Sequence, residues 1–364
     1  MIPDKALILA GGKGTRLNEI TKGLIPKPLV EVAGKPVIVR AIENVRRYKI
    51  TDVTISVGFL YEKIIERLGD GKGLGVNIKY VIEDQPLGSG GALYYLKNEH
   101  IDQLLVCPGD VVFDFDVRKM SEFHRSKGAL ITLFAHPNTH PYDSDLIIAD
   151  ADGRVIGINK KNSERNFYYS NLVNAGIFIL SGETLSYFKE KRFVNMEHDF
   201  VSSFIAGGRV FSYRSPEYVR DVGTPERLLR AEADLKSGVV ERKNLANKQR
   251  AVFLDRDGTI NVYKGFISSP DDLELLPGAA RAVKAINESD KRKRQARDNS
   301  IQPARHRARR MHFRRNALDI RQAGNSARQR GSFYRRHILL PAPPAFGVRR
   351  RSQGAQDRLR LQKA

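Results

Sequence analysis

Two short stretches carry residue types that could handle phosphate. In 7-LILAGGKGTRL-17 an apolar run ends at Gly11, Gly12 and Gly14, which let the backbone approach a polyphosphate closely with its amides pointing inward. Lys13 and Arg16 add cations against its charge, and Thr15 sits between Gly14 and Arg16. The spacing excludes two other loops. A Walker loop needs Gly-Lys followed directly by Ser or Thr, and Gly14 intervenes; the dinucleotide fingerprint needs a glycine where Leu17 stands. In 253-FLDRDGTI-260, Asp255 and Asp257 flank one residue at the end of an apolar run and precede Gly-Thr. A phosphate-transferring site often begins in this way, one carboxylate acting as nucleophile and the other as acid and base.

Such loops need elements to hold them. Over the first 240 residues β-rich runs alternate with helical patterns: KALILA, a helix over 36–48 with Val37, Ile38, Ala41, Ile42 and Val45 on one face, DVTISVG, YEKIIERL, VNIKYVI, a helix over 89–96, QLLVCPGD, and a helix over 117–126. The alternation predicts an α/β fold, a Rossmann-like, mostly parallel sheet with helices on both faces. Sheets of that kind bind ligands beyond the carboxyl ends of their strands, so chemistry-bearing motifs should follow strands. They do.

Downstream of the glycine loop come 26-PKP-28, 86-PLGSGGA-92, 108-PGD-110, 174-NAGIF-178 and 221-DVGTPERL-228, in that order. The ordered set resembles the sugar-1-phosphate nucleotidylyltransferases, heptose-1-phosphate guanylyltransferases among them, over about residues 4–238. The resemblance implies attack of a sugar 1-phosphate oxygen on the α-phosphorus of a nucleoside triphosphate, with pyrophosphate leaving. Two polyanions must be held together and the transition-state charge neutralised. By motif position, Arg16 holds the pyrophosphate and Lys27 the reacting phosphates, while Gly11, Gly12, Lys13, Gly14 and Thr15 cradle the nucleotide. Gln85 and Gly88 fall where the family reads the base, and Asn174 where it touches the sugar. Asp110 and Asp221 match the pair of carboxylates that bind Mg2+, a cation suited to a few carboxylates plus phosphate oxygens and water. Asp221 could instead cap a helix, but Thr224 is the better placed cap for a helix from Pro225. Two dipeptides depart from the pattern. Lys160 is expected to join Asn174 at the sugar, yet Lys160 and Lys161 stand without the glutamate of the Glu-Lys pair many members place on the strand that meets the sugar phosphate, and Ser144 and Asp145 stand where Tyr-Gly is common.

After a polar linker over 239–250, the stretch 251-AVFLDRDGTI-260 is expected to open a new strand. With 270-PDDLELLPGA-279 it resembles the haloacid-dehalogenase-type phosphatases acting on heptose bisphosphate or histidinol phosphate. The resemblance implies Asp255 as nucleophile and Asp257 as acid and base, in a fragment over 251–290 that lacks the family's later motifs. Residues 291–364 hold 22 of the chain's 62 Lys and Arg but only three acidic residues, Asp298, Asp319 and Asp357, which gives +19 of the net +21. They contain 19 Arg and no Glu. Permitted codons for residues 325–346, read one base later, can spell TLLGKEGAFIDAIYYCPHHPH, and residues 347–363 can spell AFGEEVKELKIDCDCRK. Both strings resemble the missing phosphatase half, so the tail reads as the product of a one-base frameshift near Asp290, disordered and without phosphatase activity.

Composition bounds the rest. Apart from the tail the chain is nearly neutral, so the basic balance supports nucleic-acid binding only through residues 291–364. One cysteine, Cys107, excludes an intramolecular disulfide and a cysteine-cluster metal site. No run reaches the roughly 20 apolar residues of a membrane span, and a cytoplasmic protein is expected, with homo-oligomers open. The expected activity is nucleotidyl transfer from GTP to a heptose 1-phosphate for surface polysaccharide. A mannose-like sugar, a sugar-bisphosphate phosphatase or a nucleic-acid-binding tail are the alternatives.

Overall fold

The computed structural model describes residues 2–12, 14, 17–138, 144–161, 163–165, 169–248 and 252–286. The chain divides into two units, Met1–Ser163 with Asn171–Lys248, and Glu164–Ser170 with Gln249–Ala364. The strands of the first unit are β1 Lys5–Ala10, β2 Glu31–Val32, β3 Lys35–Pro36, β4 Asp52–Val57, β5 Asn77–Ile82, β6 Gln103–Pro108, β7 Val111–Asp114, β8 Ile131–His136, β9 Leu146–Ala149, β10 Val155–Asn159, β11 Val173–Ser181, β12 Val210–Arg214 and β13 Tyr218–Asp221. Its α-helices are α1 Asn18–Thr21, α2 Val37–Arg47, α3 Tyr61–Leu68, α4 Gly88–Gly91, α5 Val117–Ser126, α6 Ser202–Ile205, α7 Pro225–Lys236 and α8 Val239–Arg242.

Strands β5, β4, β1 and β6 lie side by side and parallel, with Ala10 beside Val57 and Leu9 beside Pro108. Alternation along β1 divides the core. Ala6, Ile8 and Ala10 face the helices α2, α3 and α5, whereas Leu7 faces Ala92, Leu93, Leu96 and Phe200 on the other side. Helices therefore cover both faces, as expected. In α2 the stripe Val37, Ile38, Ala41, Ile42 and Val45 is buried throughout, each larger side chain stabilising the unit by about 1.5–3 kcal/mol.

Beyond β6 the sheet changes direction. β11 pairs antiparallel with both β6 and β8, β12 runs parallel to β8, and β9 and β10 form an antiparallel edge. Because β11 runs against β6, its amino-terminal half comes to the carboxyl ends of the parallel strands. A separate ribbon pairs β7 with β13, setting Asp221 across from Val111. Among the described residues no helix is long and apolar enough to cross a membrane.

The expected polar linker is corrected over 239–248. Val239 and Val240 of α8 are buried against Val32, Val112 and Tyr218. Asn244 is buried too, its Nδ2 donating to Asp114 Oδ1 at 2.6 Å and to Tyr48 Oη at 3.0 Å. The Leu245 amide donates to Glu217 Oε1 at 2.7 Å. A few inward side chains anchor a stretch whose composition is otherwise polar.

The expected strand at the start of the second unit is also corrected, since 252–256 form none. A strand needs at least one partner strand for its backbone hydrogen bonds, and this unit's described residues offer only the isolated bridges Asp257 to Asn261 and Asn261 to Leu275. Its core is small, Ile260 and Leu275 with Leu254, Leu273 and Ala280 against them, while Phe253, Tyr263 and Phe266 stay exposed. The basic tail expected over 291–364 lies outside the described residues.

Candidate active site

The parallel register assembles the site. With Leu9 beside Pro108, the glycine loop after β1 and the Pro-Gly-Asp turn after β6 leave the sheet together. Val57 ends β4 beside Ala10, and its carbonyl accepts the Glu83 amide at 2.9 Å, which brings the residue after β5 to the same edge. These ends border a cavity of about 510 Å³, lined by Gly11, Gly12, Gly14, Lys27, Asp110, Gly88 and Gly223 among others.

Lys27 opens a short 3-10 turn between Pro26 and Pro28, and its side chain is only 10% exposed. Nζ donates to Asp110 Oδ2 at 2.5 Å. Gly14 makes this placement possible: its φ is +63°, and a Cβ there would lie 2.8 Å from Lys27 Cβ. Asp221 accepts from the Gly223 amide at 3.0 Å and from Arg227 Nη1 at 2.9 and 2.8 Å. Burial pushes its pKa up, but Arg227, the Gly223 amide and the nearby Lys27 charge outweigh this and hold the carboxyl below its usual range. Asp110 immediately precedes Val111, which faces Asp221 across the ribbon, so the two carboxylates emerge at one end of it.

At the β5 side, Glu83 lines the cavity where Gln85 was expected. Gln85 is exposed and is not among the lining residues. Glu83 Oε1 accepts from Ser56 Oγ, and Oε2 from the Leu87 amide at 3.0 Å. The turn from Asp84 to Pro86 thus points Gln85 outward. The signal for Glu83 was in the sequence, since it is the first residue past the strand VNIKYVI. Gly88 does line the cavity, with φ +78° and room for no side chain, because a Cβ would meet the Val194 carbonyl oxygen at 2.5 Å.

On the β11 side, Asn174 reaches the cavity through Glu197. Its Nδ2 donates to Glu197 Oε1 at 2.9 Å and its Oδ1 accepts from the Gly176 amide at 3.1 Å. The register of β11 against β8 breaks between Asn174 and Phe178, a bulge of the kind found beside functional sites. Glu197 also lines the cavity, and no local pattern in the sequence marks it. Asn195 places it, accepting from the amides of Glu197 and His198 at 3.0 and 2.8 Å at the head of a π-type helical turn. Burial raises the Glu197 pKa, against the hydrogen bond from Asn174 and the charge of His198. Next to it, His198 Nε2 lies 2.9 Å from Asp145, which also accepts the Lys161 amide at 2.6 Å. Lys160 follows β10, is exposed and does not line the cavity. Lys13, Thr15 and Arg16 lie outside the described residues.

In the second unit Asp255 is exposed, whereas Asp257 is held by Arg256 Nη2 at 2.7 Å and by Asn261 Nδ2 at 3.2 Å. The hydrogen bond from Arg256 leads in keeping the Asp257 pKa below the ordinary carboxylate range.

Known proteins share the first unit. The chain is 30% identical over 237 residues to a mannose-1-phosphate guanylyltransferase of Mycobacterium tuberculosis, covering 64% of this chain and 65% of that one. It is 32% identical over 231 residues to a mannose-1-phosphate guanyltransferase of Pichia angusta, 62% of each chain. The chain thus spans less than two thirds of the length of these curated relatives. The crystal structure of HddC from Yersinia pseudotuberculosis superposes with a TM-score of 0.55 at 26% identity, over 65% of this chain and all of that one, and a second crystal structure of HddC is a complex with GMP-PN. Residues 5–238 match the family described as Nucleotidyl transferase, and the chain belongs to that family.

Proposed function

We propose that the first unit transfers a guanylyl group from GTP to a sugar 1-phosphate and releases pyrophosphate. The observation that carries this reading is one cavity holding the Lys27 and Asp110 pair with a carboxylate to either side along the sheet, Glu83 just past β5 and Glu197 beside β11. Glu83 favours guanine. Each of its oxygens has a lone pair left after the bonds from Ser56 and Leu87, and guanine alone among the bases offers N1–H and N2–H2 side by side to a carboxylate. Adenine would turn an acceptor toward it.

In the transfer, an oxygen of the sugar 1-phosphate bonds to the α-phosphorus and the bond from that phosphorus to the bridging oxygen breaks, leaving pyrophosphate. Lys27 neutralises the reacting phosphates, and the glycine loop lets the backbone approach them, with Arg16 reading as the cation for the leaving group. Mg2+ is the cofactor we assign. Among the described residues no cage of three or more His, Cys, Asp or Glu is present, so such an ion would be held by Asp110 and Asp221 with the substrate's own oxygens. When bound it would screen charge on the phosphates. Glu197, fixed by Asn174, is suited to accept from a sugar hydroxyl.

A heptose 1-phosphate is the acceptor we favour, because a fragment like 251–290 resembles phosphatases that trim a heptose bisphosphate. We read that fragment, with Asp255 and Asp257, as an incomplete phosphatase, and residues 291–364 as out of frame. A cytoplasmic enzyme feeding surface polysaccharide, with nucleic acid no partner, completes the proposal. The test is pyrophosphate release from a panel of triphosphates against mannose, glucose and heptose 1-phosphates. No turnover with GTP and any of the three would end the reading, and sequencing the gene around codon 290 decides the frame.

A further inference from the structure

Asp221 already has a cation on it. The first turn of α7 brings Arg227 back onto both carboxylate oxygens through Nη1, at 2.9 and 2.8 Å. The turn fixes that approach: Thr224 Oγ1 accepts the Arg227 amide at 3.3 Å and Pro225 occupies the first helical position. A side chain three residues past the cap leans toward the helix amino terminus, where Asp221 lies. Lys27 is disposed in the same way toward Asp110. Each carboxylate is thus neutralised by its own cation, and the Asp221 pair is not sealed from water, since Asp221 is 40% and Arg227 33% exposed.

We propose that Arg227 is a placeholder cation that competes with a divalent ion for Asp221, so that the ion enters with its nucleotide rather than ahead of it. This rests on the reading of Asp110 and Asp221 as ligands of that ion. A free divalent cation must displace the guanidinium from a carboxylate pair whose charge is already balanced. A cation carried by a triphosphate arrives with four negative charges, and the displaced Arg227 can turn to a phosphate oxygen. Arg227 is a positioning residue in this scheme, and its effect is on binding.

The experiment is an electron paramagnetic resonance titration of Mn2+ against the full chain without nucleotide, for wild type, Arg227→Ala, Arg227→Gln and Asp221→Asn. Removing the competitor should tighten Mn2+ binding roughly two- to fivefold in both Arg227 variants, the range that a partly exposed ion pair sustains. Unchanged or weaker binding in both, with Asp221→Asn weaker than wild type, overturns the placeholder role and leaves Asp221 a ligand. If Asp221→Asn binds Mn2+ as wild type does, the ligand assignment falls, and the competition with it.

Discussion

Lys27 Nζ meets Asp110 Oδ2 at 2.5 Å although the two residues stand 83 positions apart in the chain. The parallel neighbours β1 and β6 help close that separation, and under the proposed function a phosphate takes the carboxylate's place on the lysine. Lys27→Ala should lower kcat/KM for pyrophosphate formation by about 100- to 1,000-fold, as the loss of one charge-stabilising donor does elsewhere. Steady-state kinetics alongside circular dichroism separates this from misfolding, and near-normal turnover would remove Lys27 from the chemistry.

Glu83→Gln exchanges a two-sided acceptor for a group with one donor end. Discrimination for GTP over ATP should fall by about 10- to 100-fold, the worth of a bidentate base contact. The comparison is kcat/KM for both triphosphates in wild type and variant. An unchanged ratio would assign base choice to other groups.

Asn174→Ala leaves Glu197 Oε1 without its donor. The expected result is a KM for the sugar 1-phosphate raised about tenfold with the KM for GTP little changed, since one hydrogen bond to a charged group contributes about 1.5–3 kcal/mol. A rise in the GTP KM alone would contradict the placement.

Gly14→Ala forces a side chain into a φ of +63° and against Lys27 Cβ. A cost of about 1–3 kcal/mol follows for the loop. Thermal melts should show a modest loss of stability, and turnover should fall further than the melt accounts for, because Lys27 is displaced.

His124 supplies a pH test. Burial first, then the charge of Arg209, pushes its pKa from 6.5 down to about 4. The ring is 2% exposed and lies between Thr132 Oγ1 at 2.8 Å and Ser181 Oγ at 3.0 Å. With the folded pKa depressed, the unfolded chain takes the proton first as pH falls. Stability is then fully present above about 6.5 and is lost toward pH 4, by at most about 3 kcal/mol. Urea midpoints across that window should drop in wild type and flatten in His124→Asn; parallel slopes would exclude His124 as the source.

Much of the fold was legible because its signals are local. The stripe of α2, the cap at Thr224 and the runs KALILA and QLLVCP each declare themselves within a dozen residues. Strand direction does not, and nothing local in VNAGIFILS reveals that β11 opposes β6. Glu83 and Gln85 lie two apart in one polar turn, and only the turn's path decides which faces the cavity. Glu197 depends on Asn174, 23 positions earlier, for its placement, a relation that no spacing rule encodes. The stretch after 238 misled for a different reason. Its average composition is polar, while its role rests on Val239, Val240 and Asn244.

That last stretch bears on how a minimal version should be cut. Asn244 works as a peg between the end of α2 and the β7 ribbon whose neighbour turn bears Asp110. Trimming at the family boundary would pull the peg and expose Asp114 and Glu217 to solvent. A trimmed gene for crystallisation should keep its codons through 248.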